Sequence, residues 1–307
     1  AQQYEMGVDS VMYPFFQSIG ELDGWKESAT YYTTDDELKT LSELSPSLHL
    51  YVIKHKEKLS SMIDRVVSDY NVSKETAELI TIAESCRVWN SGFMPGFDLF
   101  NHNSRKGNPV FKMNTTNVGD VYLFTSKGTY EKGEEIFVSY HQADSTKYTV
   151  DMNFYDVHDI HLTNVLSKVV FGKDDTELDK KTFDRMKEKY ALEVFGENGE
   201  YYKINAAAPL IMGAPSTALF EISKEFSLSA TGEYDISIHN DVLLSWLNHA
   251  IHRFTLNEIT EEQLTPRIQR YLSHIHSENI HIGLCMDWVT MNDPKYSVKF
   301  LNQYVGI

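Results

Sequence analysis

Phe93-Met94-Pro95-Gly96-Phe97-Asp98-Leu99-Phe100-Asn101-His102 is the stretch on which the reading of this chain turns. It sets Pro and Gly among aromatic and apolar residues and closes on two polar ones. Further along comes Gly133-Glu134-Glu135-Ile136-Phe137-Val138-Ser139-Tyr140, an apolar strand candidate ending in a tyrosine. An asparagine amide offers two donors and an acceptor oxygen, so Asn-His after an apolar run can serve as a hydrogen-bonding pair in a closed pocket. A strand-end tyrosine puts a hydroxyl at a sheet edge. Taken singly, each motif has a plainer reading: a helix cap at Asp98 or Asn101, and a half-buried aromatic at Tyr140.

Working outward, Gly92, Gly107, Asn108 and Pro109 make the surroundings loop-like. Segments 121–125 and 136–140 read as strands, with turn chemistry at Lys127-Gly128 and Lys132-Gly133 between them. Residues 91–140 are therefore expected to be strand and loop, with helix on both sides. Leu59, Met62, Ile63, Val66, Val67 and Tyr70 recur at helical spacing. Residues 71–73 break that helix, and Ser73 can cap a second one carrying Ala77, Leu79, Ile80, Ala83 and Cys86. A shorter helix signal runs from Asp35 to Leu44. Beyond about residue 166 the pattern is mostly helical. Leu178, Phe183, Met186 and Tyr190 mark one face, and Leu243, Leu244, Leu247, Ile251 and Phe254 another. Thr260 with Gln263 makes a capping box ahead of Leu264, Ile268, Tyr271 and Ile275.

In this order the two motifs resemble the C-terminal part of a SET domain, the fold of S-adenosylmethionine-dependent protein methyltransferases. That signature is a Pro-containing segment ending in Asp-x-x-Asn-His, then Gly-Glu-Glu-hydrophobic, then Ser-Tyr. The plan is similar to the branch of the Rubisco large-subunit lysine methyltransferase, and the specific likeness covers residues 85–154. The resemblance implies an α+β chain. Residues 1–163 would be a split SET domain, with a helical insert over about 10–90 and a β-rich part over about 91–163. Residues 164–307 would be an all-α substrate-binding domain. It also implies roles. Asn101, His102 and Arg87 would bind S-adenosylmethionine, Tyr140 would be catalytic, and Phe154 would wall the substrate side-chain channel. Asp98 would hold the loop.

The expected reaction is methyl transfer to a protein side chain, with lysine as the first target. The alternative is a catalytically inactive SET-like protein-interaction module. Two departures from the family pattern stand out. No Gly-x-Gly strand appears in residues 1–30, so the first strands are expected either upstream of Ala1 or not at all. Where the family has Tyr-Gly-Phe, this chain has Met152-Asn153-Phe154.

Charge and cysteine content narrow the classes. Against 44 acidic residues there are 28 basic ones, a net charge of −16, which argues against direct nucleic-acid binding. The same charge suits a basic protein substrate or simple solubility. Two cysteines without a CxxC pair indicate neither a thiolate zinc site nor a disulfide framework. The histidines at 158, 161, 249, 252, 274, 276 and 281 follow no HExxH pattern and read as surface or structural, so no metal is expected. No GxSxG elbow supports serine catalysis. No apolar run approaches the ~20 residues of a membrane helix. An intracellular monomer, in cytoplasm or nucleus, is the expectation.

Overall fold

The computed structural model describes residues 2–10, 13–87, 99–103, 110–116, 119–125, 129–138, 140, 145–154, 166–167, 192–195, 201–204, 220–221, 224–225, 228, 232–250 and 259–293. Asp98, the helical face marked at 178–190, and Ile251 and Phe254 lie outside them. Among the described residues no helix is long and apolar enough to cross a membrane.

Short helices α1 (Gln2–Glu5), α2 (Tyr13–Ile19) and α3 (Leu22–Ser28) lead into α4 (Asp35–Leu44), α5 (Pro46–Tyr70) and α6 (Lys74–Arg87). Their ends follow from local chemistry. Thr34 and Glu37 form a reciprocal capping box at the start of α4. Ser45 caps α5, with Pro46 in its first turn, where a missing N–H costs nothing. The helix seen in the spacing of residues 59–70 thus extends back to Pro46. Asn71 ends it in the left-handed region at φ 51°. Ser73 Oγ then accepts from Thr76 N at 3.1 Å and starts α6, as its sequence implies.

The expected β-rich α+β core is not what the structure shows: the described residues are mostly helical. Strands β1 (Asn101–His102) and β4 (Phe137–Val138) are two residues each and pair in parallel. A separate antiparallel hairpin joins β2 (Val110–Thr116) to β3 (Gly119–Thr125). Of the strand anticipated over 136–140, the described residues show Phe137–Val138, and a turn precedes it. Gly133 sits at φ 91°, and Glu131 and Glu134 bond each other there. The all-α expectation beyond residue 164 also fails. Strands β5 (Leu166–Ser167), β6 (Leu192–Phe195) and β7 (Tyr201–Ile204) form an antiparallel sheet in the order β5-β7-β6. The Val194, Phe195, Tyr201 and Tyr202 side-chain types favour a pleated surface.

Helix α7 (Ser145–Val150), α8 (Ile236–Ala250) and the long α9 (Pro266–Met291) complete the order. Thr260 and Gln263 cap only a 3-10 turn, and Thr265 caps α9 itself. Leu41, Leu44, Leu48 and Val52 of α4 and α5 pack with Val150, Ile268, Tyr271, Leu272 and Ile275. Burial of each large apolar side chain in this cluster contributes roughly 1.5–3 kcal/mol. Helix α9 is therefore part of the core that holds the N-terminal helices.

A buried polar seam runs along the same contact. Arg267 Nε meets both Glu37 carboxylate oxygens, at 2.9 and 3.1 Å, and Thr265 Oγ1 donates to the same carboxylate. Burial alone would raise the Glu37 pKa. The bonds from Thr265, the Thr34 amide and Arg267 outweigh it and hold the carboxyl below its ordinary value of 4.5. A depressed folded-state pKa stabilises the fold above the unfolded value and ceases to do so as pH falls through the folded one. Glu37→Gln should therefore be less stable than wild type in urea unfolding at neutral pH. The gap should narrow steadily as pH drops below about 4.5; a gap independent of pH would show that the carboxylate charge is not what matters.

Candidate functional site

The parallel pair β1–β4 brings the two sequence motifs together. Asn101 faces Phe137 and His102 faces Val138, and Asn103 N donates to Val138 O at 3.0 Å. Asn101 is exposed, and its Nδ2 donates to Glu135 Oε1. Tyr140 is tied twice. Its backbone N–H donates to His102 Nδ1 at 2.9 Å, and its hydroxyl donates to the Phe100 carbonyl at 2.6 Å. An accepting Nδ1 leaves the ring proton on Nε2. His102 thus serves the site through its side chain as well as its backbone.

Around His102 the rings form a compact cluster. Its ring centroid lies 5.0 Å from Tyr140, 4.7 Å from Tyr148 and 5.8 Å from Phe154. Tyr148 and Phe154 stack at 5.1 Å with planes 26° apart, while Tyr140 meets Phe154 edge-on at 5.9 Å. Such pairs add about 0.5–1.5 kcal/mol each beyond area burial and fix ring orientation. Phe154, Tyr140 and His102 are thus assembled in one place. Tyr148 is a further member that sequence reasoning misses. It is buried on the six-residue helix α7, and no motif marks it. Its hydroxyl-bearing ring stands beside Phe154.

The turn 151–154 is anchored from three sides. Asn153 adopts φ 59°, the left-handed region that glycine favours and that asparagine tolerates better than most residues. Asn153 Oδ1 accepts from Thr30 N at 2.7 Å, and its Nδ2 reaches Cys86 Sγ at 3.0 Å. Cys86 Sγ in turn donates to Asp151 O at 3.6 Å. Burial pushes the Cys86 thiol up, against the lowering effect of bonds from Ser85 and Asn153, which keeps it a protonated donor. His55 Nδ1 pairs with Asp151 Oδ1 at 3.0 Å. Arg87 is the last residue of α6, next to Cys86 in sequence.

Chemically, the site offers an exposed amide and carboxylate side by side, at Asn101 and Glu135, with the ring cluster beginning at His102, the next residue of β1. The Tyr140 hydroxyl is oriented by the bond it donates, and a donating hydroxyl oxygen retains acceptor lone pairs that can receive an amine N–H. Comparison with protein-family models gives no match to this chain, and comparison with curated proteins gives none either. Function is therefore read from the site alone.

Asn153 separates backbone strain from side-chain bonding. Asn153→Ala loses the Thr30 bond and keeps the left-handed φ, whereas Asn153→Gly loses the same bond and relaxes the backbone. Both variants should be less stable than wild type. Alanine should be the worse of the two by about 1 kcal/mol in denaturant unfolding; a more stable alanine variant would contradict the left-handed assignment.

Proposed function

We propose that this chain is an S-adenosylmethionine-dependent protein methyltransferase, acting on a protein side chain with lysine as the first target. The observation that carries the proposal is the double tie of Tyr140, to His102 Nδ1 and to the Phe100 carbonyl. It closes two motifs that are distant in sequence onto one centre. They are the motifs to which the SET resemblance assigns cofactor binding and catalysis.

The donor set suits the amino-acid end of the cofactor, which carries one ammonium and one carboxylate. Glu135 matches the ammonium and Asn101 Nδ2 the carboxylate, once they exchange the bond they make to each other. When bound, S-adenosylmethionine supplies a methyl group on a cationic sulfonium, open to in-line displacement. The chain has to present a neutral amine at near-attack distance and keep water away. Tyr140 orients the amine through its hydroxyl oxygen, and the rings of His102, Tyr148 and Phe154 exclude solvent. The lysine, with a pKa of ~10.4, gives up its ammonium proton to bulk water before the neutral amine enters the water-excluding site. The net charge of −16 favours a protein substrate with a basic segment.

One observation favours the second reading, an inert partner-binding module. The Asn101–Glu135 bond satisfies both groups without a ligand. Calorimetry separates the two. The enzyme should take up S-adenosylmethionine and transfer a radiolabelled methyl group to a lysine-rich acceptor, and absence of uptake removes the enzyme reading. In an active preparation, Tyr140→Phe should cut turnover by about a hundredfold with cofactor affinity essentially intact. Unchanged turnover would take Tyr140 out of the reaction.

A further inference from the structure

Away from the Tyr140 centre, two cavities open side by side where α1, α2 and α3 meet α6. Tyr4 and Glu21 line both. The larger is an open cleft of about 460 Å³ with Tyr4, Tyr13 and Phe16 among its walls; the smaller, also open to the surface, is about 310 Å³. We propose that this paired cavity binds a lysine side chain carried by a basic peptide segment of a protein partner. The site is independent of the methyl-transfer reading.

The walls have the chemistry for an ammonium group. The rings of Tyr4 and Phe16 meet at 5.3 Å between centroids with planes 79° apart, forming a corner of two nearly perpendicular aromatic surfaces. Aromatic faces attract a cation held within about 6 Å of the ring. The corner is rigid, because Tyr4 and Phe16 pack on Ile19, Leu79, Ile80 and Ala83. Glu5 Oε1 also accepts from Ser73 N at 3.2 Å, which pins α1 to the start of α6.

Charge complementarity identifies the occupant. Glu21, Asp23 and Glu75 line the smaller cavity, with Lys26 as the single cation among the described lining residues. Lys26 is paired with Asp23 at 2.9 Å. Glu21 is exposed at the position preceding α3, yet its side chain makes no capping bond, so its carboxylate is not spent on the helix. A lysine suits this shape. Its four-carbon stem can lie along the rings while the ammonium meets Glu21. A bare metal ion fits poorly, since aromatic walls offer it few oxygen ligands.

The test is fluorescence anisotropy of a fluorescein-labelled hexalysine peptide titrated with the full chain. Wild type should bind it. Tyr13→Leu keeps apolar bulk but removes the ring face, and Glu21→Gln removes the charge. Each should weaken binding by about tenfold with an unchanged melting temperature. Asp64→Asn, an exposed position on α5 that lines neither cavity, should bind as wild type does. Glu21 is at the surface, so Glu21→Gln decides the matter should Tyr13→Leu fail to fold. Absence of binding to wild type, wild-type affinity in a folded variant, or an equal loss in Asp64→Asn would each overturn the proposal. The last would reveal diffuse attraction to an acidic surface.

Discussion

Helix α3 ends with carbonyls that have no partner inside the helix, and the first turn of α9 supplies the donors. Arg267 Nη1 donates to the carbonyls of Lys26 and Glu27, at 2.6 and 3.0 Å, and Arg270 Nη1 donates to that of Ser28 at 2.7 Å. Cations at a helix C-terminus also oppose its dipole. Arg267 could not be buried there without Glu37, whose carboxylate neutralises it. This seam fixes where α9 sits, and through α9 it fixes the packing of α4, α5 and α7.

The seam also reaches the candidate site. Arg270 bonds Thr30 Oγ1 at 3.1 Å and approaches the Asn153 carbonyl at 3.4 Å. Asn153 holds the Thr30 amide from the other side, and its amide touches Cys86 at the end of α6. One continuous set of polar contacts thus joins the C-terminal helix to the turn that carries Phe154. The aromatic cluster is positioned by groups far from it in sequence, and it inherits the rigidity of the helical core.

How much of this is legible in the sequence differs by element. Helix α6 is legible because Ser73 is a good cap and Ala77, Leu79, Ile80 and Ala83 keep helical spacing. The meeting of Asn101-His102 with Tyr140 is legible from motif order. Other features leave little mark. The acceptor for the Tyr140 hydroxyl is a backbone carbonyl, to which residue identity is blind. Asn153 carries a faint signal, since asparagine is among the residue types that best tolerate positive φ, but nothing local shows that it reaches Thr30 and Cys86. The β-rich core is over-read because short apolar runs at 121–125 and 136–140 suit strands without fixing their length or partners. Strands β6 and β7 are hidden by the helical spacing of residues 178–190 just before them, and β5 is too short to leave a pattern.

The parallel pairing of β1 with β4 has a physical consequence for the site. Bringing residue 101 against residue 137 closes a long loop, at a cost on the order of 3 kcal/mol. Two residue pairs of ladder cannot offset much of that. The compensation comes from the bonds of Tyr140 and the contacts of the His102 ring with Tyr140, Tyr148 and Phe154. At about 1 kcal/mol for each such bond or ring pair, their sum exceeds the closure term. Tyr140, the group that would orient the amine, is thus among the groups that hold the closure together. Forming the fold at this point and assembling the centre are one event, and a change to any ring of the cluster acts on both.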